Sequence, residues 1–118
     1  MEYIIKTLKE QGILHPNGEA NIMFINQLSC GVITPFFQLA WERLNDPLKT
    51  LKQLNKTLKT LFKQNKTTEA YNVLRIAFSS LNIEFPVTLD LICFHISARD
   101  ALMYEMTSDL NELIHDMS

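Results

Sequence analysis

Residues 86–118, "PVTLDLICFHISARDALMYEMTSDLNELIHDMS", open on Pro86 and contain no further glycine or proline. Within them Leu89, Ile96, Met103, Leu110 and Met117 recur every seven residues, and Ile92, Arg99, Met106 and Leu113 repeat three places on. This a/d pattern predicts one long helix over 86–118 whose apolar seam must be covered by other helices. The seam (Ile96, Arg99, Met103, Met106, Leu110) fits the central helix of a bundle or, as a second reading, a homodimer contact in which lone Arg99 fixes register. A buried Arg99 would need a nearby carboxylate; its long stem can otherwise carry the charge out to water.

The rest of the chain points the same way. Three glycines and four prolines supply too few turns for a β-sandwich, and no alternating apolar pattern outlasts "NIEF". A first helix is predicted over 2–11, stopped by Gly12, and "HPNGEA" reads as a turn at Asn17-Gly18. A second helix is predicted over 19–30, ending at Gly31. A third begins with Thr34 as cap and Pro35 in its first turn and runs to about Asp46. Pro47 opens a lysine-rich fourth helix, "QNKTT" breaks it, and Thr67 or Thr68 caps a fifth that ends near Leu81. The fold class is all-α: one compact domain, 1–118, of five to six helices with a long C-terminal helix. Its 118 residues, 47% of them apolar, suffice for a core without staples.

Chemistry-bearing motifs are scarce. The sequence has no HExxH, phosphate-cradling glycine loop, GxSxG or EF-hand spacing. His15, His95 and His115 are scattered, and Cys93 and His95, two apart on a helix, point to opposite sides. No catalytic residue, metal ligand or cofactor is expected, and the protein reads as a non-enzyme. Cys30 and Cys93 lie in apolar contexts and are expected to be reduced core thiols. The N-terminal run is too short and too charged for a signal peptide, so an intracellular, cytoplasmic protein is expected. Eight lysines against three arginines, with nine asparagines, suggest an AT-rich bacterial, phage or viral genome.

Residues 20–41, "ANIMFINQLSCGVITPFFQLAW", carry no charged side chain. Their length could span a bilayer, but Asn21, Asn26, Gln27, Gln38, Gly31 and Pro35 interrupt the run, and no membrane span is expected. A buried hairpin is the simpler reading. The alternative is a partner-binding groove lined by Met23, Phe36, Phe37 and Trp41, residue types enriched at interfaces. A DNA-reading helix-turn-helix is disfavoured because "PFFQLAWERLN" offers one arginine beside Glu42.

The stretch 47–66 holds six lysines and no carboxylate. Lys49, Lys52, Lys56, Lys59, Lys63 and Lys66 fill an arc of roughly 100° beside an apolar face of leucines and Phe62. Such a stripe suits a nucleic-acid backbone, an anionic membrane or an acidic protein. The last helix offers an internal counterpart, since Glu105, Asp109, Glu112 and Asp116 align within roughly 60°. The two stripes lie on opposite flanks of their seams, so they meet if the helices pack in parallel and miss if they pack antiparallel. Up-down-up topology would make them parallel, and an internal charge zip is therefore expected.

Residues 58–86 resemble one tetratricopeptide-type hairpin, through Leu61-Phe62, Lys66, Glu69-Ala70 and Ala77. No second copy follows at a solenoid's period, so the resemblance implies an αα-hairpin. By elimination, and on the uncharged aromatic segment 20–41 and the paired charge stripes, the expected role is a small protein-binding module: an adaptor, chaperone, inhibitor or regulator, dimer-capable through the 89–117 helix. Nucleic-acid binding through Lys49–Lys66 is the runner-up.

Overall fold

The computed structural model describes residues 2–118 and confirms an all-α bundle. Six helices follow in order: α1 Glu2–Glu10, α2 Ile22–Arg43, α3 Pro47–Lys63, α4 Thr67–Ser80, α5 Val87–Ile92 and α6 Ile96–Met117. The molecule measures 44 × 27 × 23 Å. The two longest helices, α2 and α6, have 22 residues each.

Several ends follow directly from sequence. Gly12 takes φ +79° after α1, and Gly18 takes φ +90° in the turn, where the Asn17 side chain accepts from the Glu19 amide at 3.0 Å. Asn21 caps α2 by accepting from the Phe24 amide and ties the turn down by donating to the Gly12 carbonyl at 3.0 Å. Asp46 caps α3 ahead of Pro47, accepting from the Lys49 amide.

Three expectations are corrected. The helices expected over 19–30 and 34–46 are one continuous α2, with Pro35 inside it. Pro35 removes the hydrogen bond to the Gly31 carbonyl, but both residues face solvent, where water can serve that carbonyl. Meanwhile Val32, Ile33, Phe36 and Phe37 bury on either side of the proline, and that burial holds the helix together. Second, the single helix expected over 86–118 breaks at Cys93–His95, and the His95 ring accepts from the Ala98 amide to start α6 afresh. Third, neither threonine caps α4. Lys66 is the cap residue, and Thr67 and Thr68 turn their hydroxyls across to Asp100 and Arg99.

The break fixes helix directions. Asn55 and Lys59 meet Asn111, whereas the later Phe62 meets Tyr104, so α3 runs antiparallel to α6. Asn26 meets Glu105 and Ser29 meets Asp109, so α2 runs parallel to α6. The start of α4 meets the start of α6 through Thr67–Asp100, while Arg43 at the end of α2 donates to the Leu81 carbonyl at the end of α4. Residues 82–95, including α5, carry the chain back along the bundle. That return leg makes α6 parallel to α4 instead of opposed to it.

α6 is the central helix. Ala98, Leu102, Met103, Met106 and Leu110 are fully buried against α2, α3 and α4. The heptad seam is thus spent inside the chain at Met103, Met106 and Leu110. Ile96, at the start of α6, is 66% exposed, and buried positions step by four (98, 102, 106, 110, 114) rather than by seven. Arg99 makes its contacts within its own chain, donating to Thr68 at 2.9 Å and pairing with Asp100 at 3.4 Å.

Candidate functional site

Two exposed faces carry the candidate residues, one on α2 and one on α3. α3 is sharply amphipathic. Leu51 and Leu58 are buried, with Leu48, Leu54, Leu61 and Phe62 packed partly against the core. The other side carries Lys49, Lys52, Lys56, Lys59 and Lys63, and Lys66 follows three residues past the end of the helix; all six are exposed. The expected charge zip does not form. Among the described residues the ion pairs are Lys6–Glu10, Arg75–Asp90, Arg99–Asp100 and His115–Asp116, none of which uses a stripe lysine. Lys59 donates to the neutral Asn111 at 2.7 Å instead.

The cause is direction. Stripes on opposite flanks miss when helices oppose, and α3 opposes α6. Two of the four acids are drawn to α2: Glu105 accepts from Asn26 at 2.6 Å, and Asp109 accepts from Ser29 at 2.7 Å and from the Cys30 thiol at 3.4 Å. The zip that forms is one of amide, hydroxyl and thiol donors on an acidic stripe.

A shallow groove of about 230 Å³ lies between α3 and α6, lined by Lys59, Phe62, Lys63, Tyr104, Thr107 and Asn111. The Phe62 and Tyr104 rings lie 6.1 Å apart within it, and Tyr104 is 60% exposed. A second groove of about 380 Å³ runs along Lys49, Lys52 and Lys56 with Asp46, Leu48 and Gln53. The basic face therefore has relief and, at one end, an aromatic floor. Tyr104 could not be read as a neighbour of the lysines without knowing how α3 lies on α6.

The aromatic set expected to line one groove on α2 is divided. Phe36 and Phe37 are buried, and Phe36 stacks on Phe78 at 4.2 Å with ring planes 8° apart, so it belongs to the core. The reason is helical phase, since 36 and 37 share a side with Ile25, Val32, Ile33 and Ala40. Met23 is 75% exposed and Trp41 42%, at opposite ends of the outer face. Trp41 stacks on Phe37 at 5.9 Å and, with Thr34, Gln38, Leu113 and Met117, lines a groove of about 380 Å³. α2 is also, among the described residues, the one helix long and apolar enough to cross a membrane.

Cys30 was expected in the core but sits exposed on this face, and Cys93 is half-buried; both are free thiols. Desolvation and the bond to Asp109 push the Cys30 thiol above its ordinary pKa, and burial does the same for Cys93.

A third polar cluster ties α4 to α5. Asp90 accepts a bidentate pair from Arg75 at 2.8 and 2.9 Å and a hydrogen bond from the Tyr71 hydroxyl. The Arg75 guanidinium holds the Asp90 carboxyl below its usual range, with Tyr71 adding to it, while burial and Asp90 push the Tyr71 phenol well up. Arg75 also lies 5.3 Å over the Phe85 ring. Every group here is paired, which marks a structural tie. No group of three or more His, Cys, Asp or Glu among the described residues could hold a metal ion. No protein-family model, curated protein or solved structure matches the chain.

Proposed function

We propose that this is a small non-enzymatic binding module that engages an acidic segment of another protein through the lysine face of α3. One observation carries the reading: five lysines on one face of α3, with Lys66 just past its end, all stand in solvent, and none is in an ion pair among the described residues. A 17-residue helix is about 25 Å long, enough for an extended acidic stretch of roughly seven or eight residues. Aligned lysines give such a partner strong local attraction, while the overall charge of −2 adds none at long range for a polyanion. A specific observation favours a second reading. The Phe62–Tyr104 pair beside Lys59 and Lys63 resembles a stacking platform for single-stranded nucleic acid.

Fluorescence anisotropy with a labelled ten-residue oligoglutamate and a labelled ten-nucleotide DNA separates the two. The peptide is expected to bind in the micromolar range and to release as salt rises. Lys52→Glu with Lys56→Glu should weaken it at least about tenfold with melting unchanged, since exposed charges contribute little to folding. Tighter binding of the DNA, lost with Tyr104→Ala, would pass the face to the second reading. Binding of neither probe would sink both.

A further inference from the structure

We infer that the outer face of α2 pairs antiparallel with α2 of a second copy, about a two-fold axis at the level of Val32. At 100° per residue Met23, Gln27, Cys30, Thr34, Gln38 and Trp41 fall within an arc of roughly 80°. The arc lies opposite the buried side, and all six residues are exposed. The lysine face of α3 cannot pair with its own copy without repulsion. This face can, because α2 has no charged side chain before Glu42.

The order of residues is self-complementary. A two-fold at that level sets Met23 opposite Trp41, Gln27 opposite Gln38 and Cys30 opposite Thr34. Crossing helices approach most closely at their centre, where Cys30, Gly31 and Thr34 are small. A Cβ built on Gly31 would meet nothing within 4 Å, so that position is open toward solvent. Towards the ends, where helices diverge, the long Met23 and Trp41 side chains bridge the gap. The groove of about 380 Å³ under Trp41 offers each Met23 a receptor lined by Phe37, Leu113 and Met117. Gln27 and Gln38 can exchange amide hydrogen bonds across the axis, an exchange that lipid could not provide.

Charge complementarity supports the direction. Glu42 stands in the last turn of α2, the wrong end of its own helix dipole, and the first turn of α2 contains no acidic residue. Antiparallel pairing brings Glu42 beside the first turn of the partner helix, where a carboxylate is favourable. The Gly31 carbonyl, left without an intrahelical donor by Pro35, lies near the axis within reach of the partner's Thr34 or Gln38.

Two helices of this length would bury on the order of 1,200 Å² in total, the lower bound for specific interfaces, so the dimer is weak. The acidic stripe of α6 borders one flank, and antiparallel symmetry brings the same flank of both copies together. Added salt should therefore tighten this association, whereas it loosens any complex on α3.

Sedimentation equilibrium from about 5 to 200 µM is expected to give a dissociation constant of tens of micromolar, lower in high salt. Thr34→Lys, at an exposed site, should raise it at least tenfold with the helical circular dichroism unchanged. Helices packed about 8 Å apart place facing Cα atoms roughly 4–6 Å apart, within disulfide reach. Thr34→Cys, oxidised with copper phenanthroline, should therefore form a covalent dimer through the partner's Cys30, well above the wild-type level. A monomer at every concentration, a dimer indifferent to Thr34→Lys, or uptake onto phosphatidylcholine vesicles in place of self-association would overturn the inference.

Discussion

α2 and α3 are neighbours in the chain and differ in how they divide inside from outside. α3 sorts its residues cleanly, leucines inward and lysines outward. α2 is uncharged on both sides as far as Trp41, so over that length its outer face is distinguished from its core face only by which residues find neighbours. A basic exposed face suits a partner chosen by charge, whereas an uncharged one suits a partner chosen by shape, its own copy included.

The comparison can be broken most forcefully at Phe36. If the inner face of α2 is core, Phe36→Ala removes the stack on Phe78 and should cost about 3–5 kcal/mol in urea denaturation. A loss below about 1 kcal/mol would mean that Phe36 is closer to the surface character of Met23 than the burial implies. A smaller effect of opposite sign is expected at Pro35. Pro35→Ala restores the amide that the Gly31 carbonyl lacks, at an exposed position, and should stabilise by about 1–2 kcal/mol after the unfolded chain's gain in freedom is discounted.

The smallest effect lies off both faces, at Asp90. The carboxyl titrates below its ordinary range in the folded state, so the unfolded chain takes up that proton more readily. The contribution of the tie is therefore complete above roughly pH 4–5 and is lost as pH falls through the lower folded value. Asp90→Asn should cost about 1 kcal/mol at pH 7, the group being partly exposed, and should flatten the acid side of a stability–pH profile. Binding at α3 and pairing at α2 should be indifferent to it. A shift in either would show that the two faces are not independent of the α4–α5 tie.

Sequence carried the fold class and most helix ends, because those rest on local chemistry. Gly12, Asn17-Gly18, Asp46-Pro47 and Pro86 act through their own backbone preferences, whatever surrounds them. It missed the continuity of α2 because a local rule weighs the hydrogen bond lost at Pro35 and not the four apolar side chains buried around it. It missed the break before α6 because His95 is an uncommon cap and no glycine or proline marks the site. The charge zip failed for a larger reason. The phases of the two stripes were legible, but whether they meet depends on helix direction, which the return leg through 82–95 decides. The exposed lysine stripe was legible from its helical phase; Tyr104 beside it was not, since proximity between distant positions leaves no periodic trace.

That α6 is the central helix and also follows the helices it packs against has a consequence for synthesis. As the chain leaves the ribosome, α2, α3 and α4 emerge with no central helix to close on, and the apolar inner side of α2 stands open meanwhile. The contacts that close it, such as Asn26–Glu105 and Ser29–Asp109, join residues 79 and 80 positions apart. Folding of this small helical chain should therefore be slower than its helix content suggests. Nascent chains stalled before Ile96 should be the ones that chaperones hold.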